Sequence, residues 1–180
     1  MLPLHRVNVI IITGSMGCGK TTVLGEASDI LSACGVVHAA IDLDGIASAL
    51  LPDETSTDLV YRNLASVWTN YAEAGVTRLL LAEAVENRGE LERIRRAISG
   101  ADIIVCRLTA ALETMHERLR AREPGMLQRQ FLDRARELEV VLKDAHLEDF
   151  TIVNEGRSVT EVARELLRRA CWIDDATSSD

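Results

Sequence analysis

Rings are scarce in this sequence. Two tryptophans, two tyrosines and two phenylalanines are all it holds, so its core must be assembled from leucine, isoleucine, valine and alanine. Positive charge is in deficit too: 20 basic against 28 acidic residues leave a net charge of -8. Nucleic-acid binders usually present a basic face to the phosphates, so no nucleic-acid partner is expected. A bound nucleotide remains compatible with that acidity, because a few local donors suffice for one phosphate chain. The longest apolar run, Val7 to Ile12 with Asn8 inside it, is far shorter than the roughly 20 residues that span a bilayer. No membrane association is expected. Met1-Leu-Pro-Leu-His-Arg leads straight into that run with no small-residue cleavage site behind it, so no signal peptide is read. Cys18, Cys34, Cys106 and Cys171 lack the paired spacing of zinc or redox sites. Reduced thiols in a cytoplasmic protein account for them.

What remains is a globular balance of 47% hydrophobic and 27% charged residues over 180 positions. That is one domain, expected over residues 1–173, followed by a small, acidic, disordered tail at 174–180. Short apolar runs alternate with longer periodic segments, which points to an α/β fold with a parallel sheet. Strands are expected at Val7–Thr13, Val36–Asp42, Val76–Ala82, Asp102–Leu108 and Phe150–Val153. Helices are expected at Lys20–Cys34, Ile46–Leu51, Asp58–Ala74, Glu90–Ser99, Leu112–Glu123, Met126–Lys143 and Val159–Cys171. Pro52–Thr57 reads as loop, and the third helix should turn Leu59, Leu64, Val67, Trp68 and Tyr71 inward. Gly35 and Gly75 stop helices, and Ser158 with Glu161 forms a capping box. Five strands with helices on both faces make three layers.

Gly14-Ser15-Met16-Gly17-Cys18-Gly19-Lys20-Thr21 fits the P-loop pattern G-x-x-x-x-G-K-[ST] without a mismatch, between a strand and a helix. Glycines let the backbone turn its N–H groups inward as a nest for anionic oxygens. The helix that begins at Lys20 adds its positive dipole end. Lys20 reaches the β- and γ-phosphates, and the Thr21 hydroxyl suits Mg²⁺. The nucleotide-binding set is therefore Gly14, Ser15, Met16, Gly17, Cys18, Gly19, Lys20, Thr21 and Thr22, with ATP and Mg²⁺ as the implied ligands. The Cys18 side chain is incidental to this role.

Ligands of open α/β sheets bind at the carboxyl ends of the strands. Asp42 and Asp44 arrive there after the second strand, and Glu83 after the third. Phosphoryl transfer needs one carboxylate at the acceptor and another on the metal side, which Asp44 and Asp42 can supply from one short turn. Asp44-Gly45 also fits ordinary turn chemistry, but the functional reading is preferred for Asp44. Glu83 stands at the Walker B position, where Asp is commoner. Arg118 and Arg122, one helical turn apart on a shared face, precede the Pro124-Gly125 break. A flap over about residues 116–130 could thus bring them over a triphosphate. The interleaved Glu113, Glu117 and Glu123 also fit a solvated face, the reading preferred for Arg120. His5, His38, His116 and His146 are scattered and take no role.

With these features in this order, the chain resembles the small P-loop kinases of the nucleoside and shikimate, gluconate and adenylylsulfate kinase type. It is similar as well to kinase-like ATP-binding proteins common in actinobacteria. The resemblance implies a P-loop NTPase fold with strand order 2-3-1-4-5, an arginine flap carrying Arg118 and Arg122, and a small-molecule acceptor. It places Asn154-Glu155-Gly156-Arg157 near the nucleotide base, with Arg157 as the candidate contact, and Tyr61, Arg62 and Tyr71 where acceptors dock. Adenylylsulfate kinases end the second strand in Leu-Asp-Gly-Asp-Asn-x-Arg. Ile41-Asp42-Leu43-Asp44-Gly45-Ile46-Ala47 keeps both acids, which implies Asp44 at the acceptor and Asp42 near magnesium. It lacks the arginine, replaced by Ala47, which argues against a sulfate-bearing nucleotide as acceptor.

The activity so implied is an ATP- and Mg²⁺-dependent phosphotransferase acting on a hydroxyl or phosphate of a small molecule. Two other functions fit the same cradle: a regulatory ATPase or switch working through a protein partner, and a nucleotide-binding module without chemistry. The missing Asn-Lys-x-Asp signature argues against a GTPase. Both a monomer and a homodimer remain open.

Overall fold

The computed structural model describes residues 6–47 and 55–174. Its centre is the strand β1 (Val7–Thr13), whose β-branched run is buried on both faces. Val9, Ile10, Ile11 and Ile12 each expose 1% or less of their surface. Truncating any of them to alanine would cost roughly 2–5 kcal/mol, a large share of a domain's stability. Four strands join it: β2 (Ala39–Asp42), β3 (Arg78–Ala82), β4 (Ala101–Thr109) and β5 (Phe150–Val153). The sheet order is β2-β3-β1-β4-β5, with every pair parallel. Ile10 therefore lies opposite both Leu80 of β3 and Ile104 of β4. This is the expected fold.

Alternation along β1 divides the core in two. Ile10 and Ile12 face the helices α1 (Lys20–Ala33) and α7 (Val159–Arg169), which bury Val23, Ala27, Leu31, Val162, Leu166 and Leu167. Val9 and Ile11 face α3 (Thr55–Glu73) and α4 (Arg88–Ala97), which bury Leu64, Trp68 and Ile94. Three further helices stand around the carboxyl edge of the sheet: α2 (Leu43–Ala47), α5 (Leu112–Arg122) and α6 (Gln128–Ala145).

Several element ends differ from expectation, for reasons of hydrogen bonding. The second strand begins at Ala39 and not Val36, because Val36 closes a Schellman turn. Its N–H donates to Leu31 O (2.9 Å) and that of Gly35 to Ser32 O (3.0 Å). Gly75 and Val76 repeat the pattern, with Val76 N donating to Tyr71 O at 3.0 Å, so β3 starts at Arg78. α4 starts two residues early because the Asn87 side chain caps the Glu90 N–H at 3.1 Å. Leu43–Ala47 is helical; Ser48–Leu51 of the short helix expected at Ile46–Leu51 lie outside the described residues. Thr55–Thr57 belong to α3 and not to a loop, whereas Pro52–Glu54 fall outside the described residues. Tyr71 is 40% exposed and so does not pack inward. The capping box at Ser158 and Glu161 is present. The break at Pro124-Gly125 separates α5 from α6, leaving Met126 95% exposed. Of the tail, only Asp174 is described. Among the described residues, no helix is long and apolar enough to cross a membrane.

Candidate phosphate site

β1 ends at the sheet's carboxyl edge and hands the chain to the P-loop, which turns into α1. Gly19 is the N-cap of that helix, at φ +101°, and offers no capping side chain; no acidic residue occupies the first turn. The first N–H groups of α1 are thus left for a ligand, reinforced by the helix dipole. Close packing allows no side chain here. A Cβ on Gly19 would collide with the Asn154 amide nitrogen, and one on Gly17 would come within 2.5 Å of Met115 O.

Side chains from three other elements hold this loop. Ser15 Oγ, fully buried, donates to Ala135 O of α6 at 2.7 Å. Asn154 Nδ2, just past β5, donates to Cys18 O at 2.7 Å. Arg118 of α5 donates to Gly17 O (3.3 Å), Cys18 O (3.4 Å) and Asn154 O (2.9 Å). The Cys18 thiol points into the core, where burial pushes its pKa up and keeps it protonated. Lys20 Nζ folds back to Gly14 O (3.0 Å) and Ser15 O (3.4 Å). These are bonds that an anionic oxygen can replace.

Beside the loop, Thr21 Oγ1 donates to Asp42 Oδ2 at 2.6 Å, and Asp44 N donates to Asp42 Oδ1 at 3.2 Å. Asp44 lines a cavity of about 60 Å³ with Met16, Gly17, Gly19, Lys20, Thr21, Thr22 and Arg122. A second cavity of about 160 Å³ is walled by Gly17, Gly19, Thr22, Arg118, Leu119 and Arg122. Arg118 and Arg122 thus share one face of α5, as their spacing implies. Among the described residues, exposed Arg122 is paired with half-buried Glu123, at 2.9 Å. A surface pair of that kind is worth about 0–1 kcal/mol, so a triphosphate would readily claim the guanidinium. Glu83 sits at the end of β3, its N–H donating to Ile12 O at 3.1 Å. Burial and then the charge of Asp44 push its pKa up to about 8, against the pull of Lys20. Asp44, Lys20 and Glu83 therefore act on one another in one electrostatic neighbourhood.

The donor set suits Mg²⁺. A hydroxyl and a carboxylate are hard oxygen donors, and this ion usually takes one or two protein groups, leaving its other positions to waters and phosphates. Among the described residues there is no cluster of three or more His, Cys, Asp or Glu that could hold a metal ion.

Arg157 stands apart from the other candidates. Its guanidinium pairs with Glu165 at 2.6 Å and donates to Glu161 O at 3.3 Å, along α7. Two residues of the same loop, placed near the nucleotide base by the resemblance, make contacts that the sequence reading did not assign them. Asn154 clamps the P-loop, and the neighbouring Glu155 carboxylate accepts from Ala111 N (3.2 Å) and from the Thr114 hydroxyl at the start of α5. β4 carries a further surprise, since Arg107 is 95% buried and pairs with Glu139 of α6 and with Glu148 at 3.6 Å.

No protein-family model matches the chain, and neither does any curated protein. Solved structures do. The APS kinase of Mycobacterium tuberculosis, in complex with AMPPNP and APS, superposes with a TM-score of 0.65 at 20% identity, covering 91% of this chain and 96% of that one. A gluconokinase from Sinorhizobium meliloti gives 0.61 at 18% identity, covering 93% of each chain. A shikimate kinase from Acinetobacter baumannii, in complex with shikimate, gives 0.59 at 18% identity, covering 93% and 94%. At these identities the likeness speaks for architecture: the chain has the P-loop fold of the small kinases, with strand order 2-3-1-4-5.

Proposed function

We propose that the protein is an ATP- and Mg²⁺-dependent phosphotransferase that moves the γ-phosphoryl group to a hydroxyl or phosphate of a small-molecule acceptor. One observation carries this reading. The hydroxyl and carboxylate of Thr21 and Asp42 meet at 2.6 Å, and Asp44 of the same turn lines the cavity against Lys20. A nucleotide store without chemistry has no need of an acid facing the cradle. The solved neighbours, kinases of APS, gluconate and shikimate by name, support the same class.

In this reading the backbone N–H groups of Gly17 to Thr22 cradle the phosphates, and Lys20 bridges the β- and γ-oxygens. Thr21 and Asp42 would hold Mg²⁺, which when bound neutralises charge on those oxygens. Asp44 orients the acceptor oxygen and takes its proton as the new P–O bond forms. Arg118 and Arg122 stabilise the charge on the phosphoryl group in transit. Arg157 would contact the nucleotide only by exchanging its pair with Glu165.

The test is ADP formation across a panel of nucleotides, sugar acids and other polyhydroxylated metabolites, with Lys20→Ala as control. Acceptor-dependent turnover that vanishes in the control is expected. Hydrolysis at the same slow rate with every acceptor would replace this reading with that of a regulatory ATPase, and tight ATP binding without turnover would leave a binding module.

A further inference from the structure

Among the described residues, four polar or charged side chains are buried: Thr13, Ser15, Arg107 and Asn154. Three of them serve the P-loop or its mouth. Thr13 Oγ1 accepts from Val85 N (3.0 Å), Ser15 Oγ donates to Ala135 O of α6 (2.7 Å), and Asn154 Nδ2 donates to Cys18 O (2.7 Å). The fourth, Arg107, stands on β4 directly opposite Thr13 of β1. Its partners are Glu139 of α6 and, at 3.6 Å, Glu148. Glu139 lies one turn beyond Ala135, so α6 meets Ser15 and Arg107 with a single face. Burial raises the Cys18 pKa and the Glu139 charge raises it further, which puts the ion pair within electrostatic range of the loop.

Stability alone does not account for an arginine here. Taking two ions out of water costs about as much as their attraction returns, and apolar residues of similar volume often serve as well. Arg107 Nε and Glu139 Oε2 are moreover buried without a protein partner, which adds to the cost. What the pair contributes is direction. Ala135, Leu138 and Leu142 bury one side of α6, but apolar contact holds a helix close without fixing its rotation or its height. A planar guanidinium bound to the Glu139 carboxylate, and to its carbonyl at 3.4 Å, fixes both. The other ion pair that ties α6 to the sheet edge, Arg134 with Glu86, is 42% exposed at the arginine and correspondingly weaker.

We propose that Arg107 is a positioning residue for the phosphate cradle. Through Glu139 it sets the rotation and height of α6, and α6 in turn holds the P-loop by the bond between Ser15 and Ala135. Arg107 touches neither nucleotide nor acceptor in this role. The inference rests on the reading of the P-loop as the nucleotide cradle.

The test uses the full chain with Arg107→Met, Glu139→Leu and Glu148→Gln together, which removes all three charges at similar volume. Amide hydrogen exchange without ligand is the first readout, at the bonded N–H groups of Cys18 and Val23. Both should exchange about tenfold faster than in the parent, while β1 keeps its protection and the melting temperature stays within a few degrees. The Kd for ATP, the second readout, should rise about tenfold. Ser15→Ala should produce the same two changes and add little to the triple variant, because both act through one contact. Unchanged exchange at Cys18 and Val23, a loss of protection shared equally with β1, or effects that add to those of Ser15→Ala overturn the proposal. If the triple variant fails to fold, Arg107→Lys is read in its place. It keeps the charge and loses the planar group, so a severalfold change with the same non-additivity is expected. A parent protein that binds no ATP would overturn the functional reading, and the exchange result would still decide this one.

Discussion

The phosphate cradle and the groove between α3 and α4, lined by Tyr61, Arg62, Arg93 and Arg96, gather positive charge by opposite means. The cradle uses backbone N–H groups and a helix end, and its loop is pinned from outside by Ser15 to α6, by Asn154 beyond β5 and by Arg118 of α5. Its shape is set before any ligand arrives. The groove uses the ends of long side chains on two helix surfaces, with a single aromatic contact to steady them. Preorganised donors lose little entropy on binding, whereas arginine side chains lose rotamer freedom each time. The cradle is therefore the more rigid of the two.

The largest test of that contrast is Lys20→Ala. It removes the lysine of the cradle, and acceptor-dependent turnover should fall about 10²–10³-fold. The melting temperature should stay close to the parent value, since among the described residues Lys20 bonds only to loop carbonyls. A second test asks how far the cradle's charge reaches into stability. Glu83 has its pKa raised from 4.5 to about 8 in the folded protein. Between those values the unfolded chain has released a proton that the folded chain keeps, so stability falls as pH rises. Glu83→Gln abolishes this, and in nucleotide- and metal-free urea denaturation the variant should gain on the parent steadily from about pH 4.5 to 8. The total is on the order of 5 kcal/mol, and the gap should be flat below that window. A constant gap across pH would contradict the buried, protonated acid.

Asn154→Ala probes the pinning itself. It leaves the Cys18 carbonyl with the longer bond from Arg118 at 3.4 Å, and should destabilise the fold by about 1 kcal/mol while raising KM for ATP more than it lowers kcat. An unchanged KM would mean that the loop holds its shape unaided. The smallest effect is a control for the glycine argument. Gly25 lies within α1, exposed, and a Cβ there meets nothing within 4 Å. Gly25→Ala should therefore stabilise the protein by about 0.5–1 kcal/mol, in contrast to Gly19→Ala, which should weaken ATP binding and stability together.

Much of this molecule was legible before the structure, and particular residues show why. Val7–Thr13 announces a central strand because only burial on both faces tolerates so many β-branched residues in a row. Lys20, Thr21, Asp42 and Asp44 were legible because strand ends place them at one edge whatever the rest of the chain does. Strand starts were less so. Val36 and Val76 have strand chemistry, yet each is spent on closing a helix, a choice made by hydrogen bonds to Leu31 and Tyr71 that propensity does not register. Tyr71 fits an inward helical face, and its outward position depends on where its neighbours stand.

The sequence by itself determined the cradle, the acids beside it and the alternation that makes a parallel sheet, because these follow from local backbone geometry and from residue period. Only the tertiary structure decided which side chains meet across the chain. Asn154 reaches Cys18 over 136 positions and Ser15 reaches Ala135 over 120, and Arg62 faces Arg93 and Arg96 because two helices pack side by side. Such pairings have no period and no motif. They arise from how the core closes, the one thing no local stretch of sequence contains.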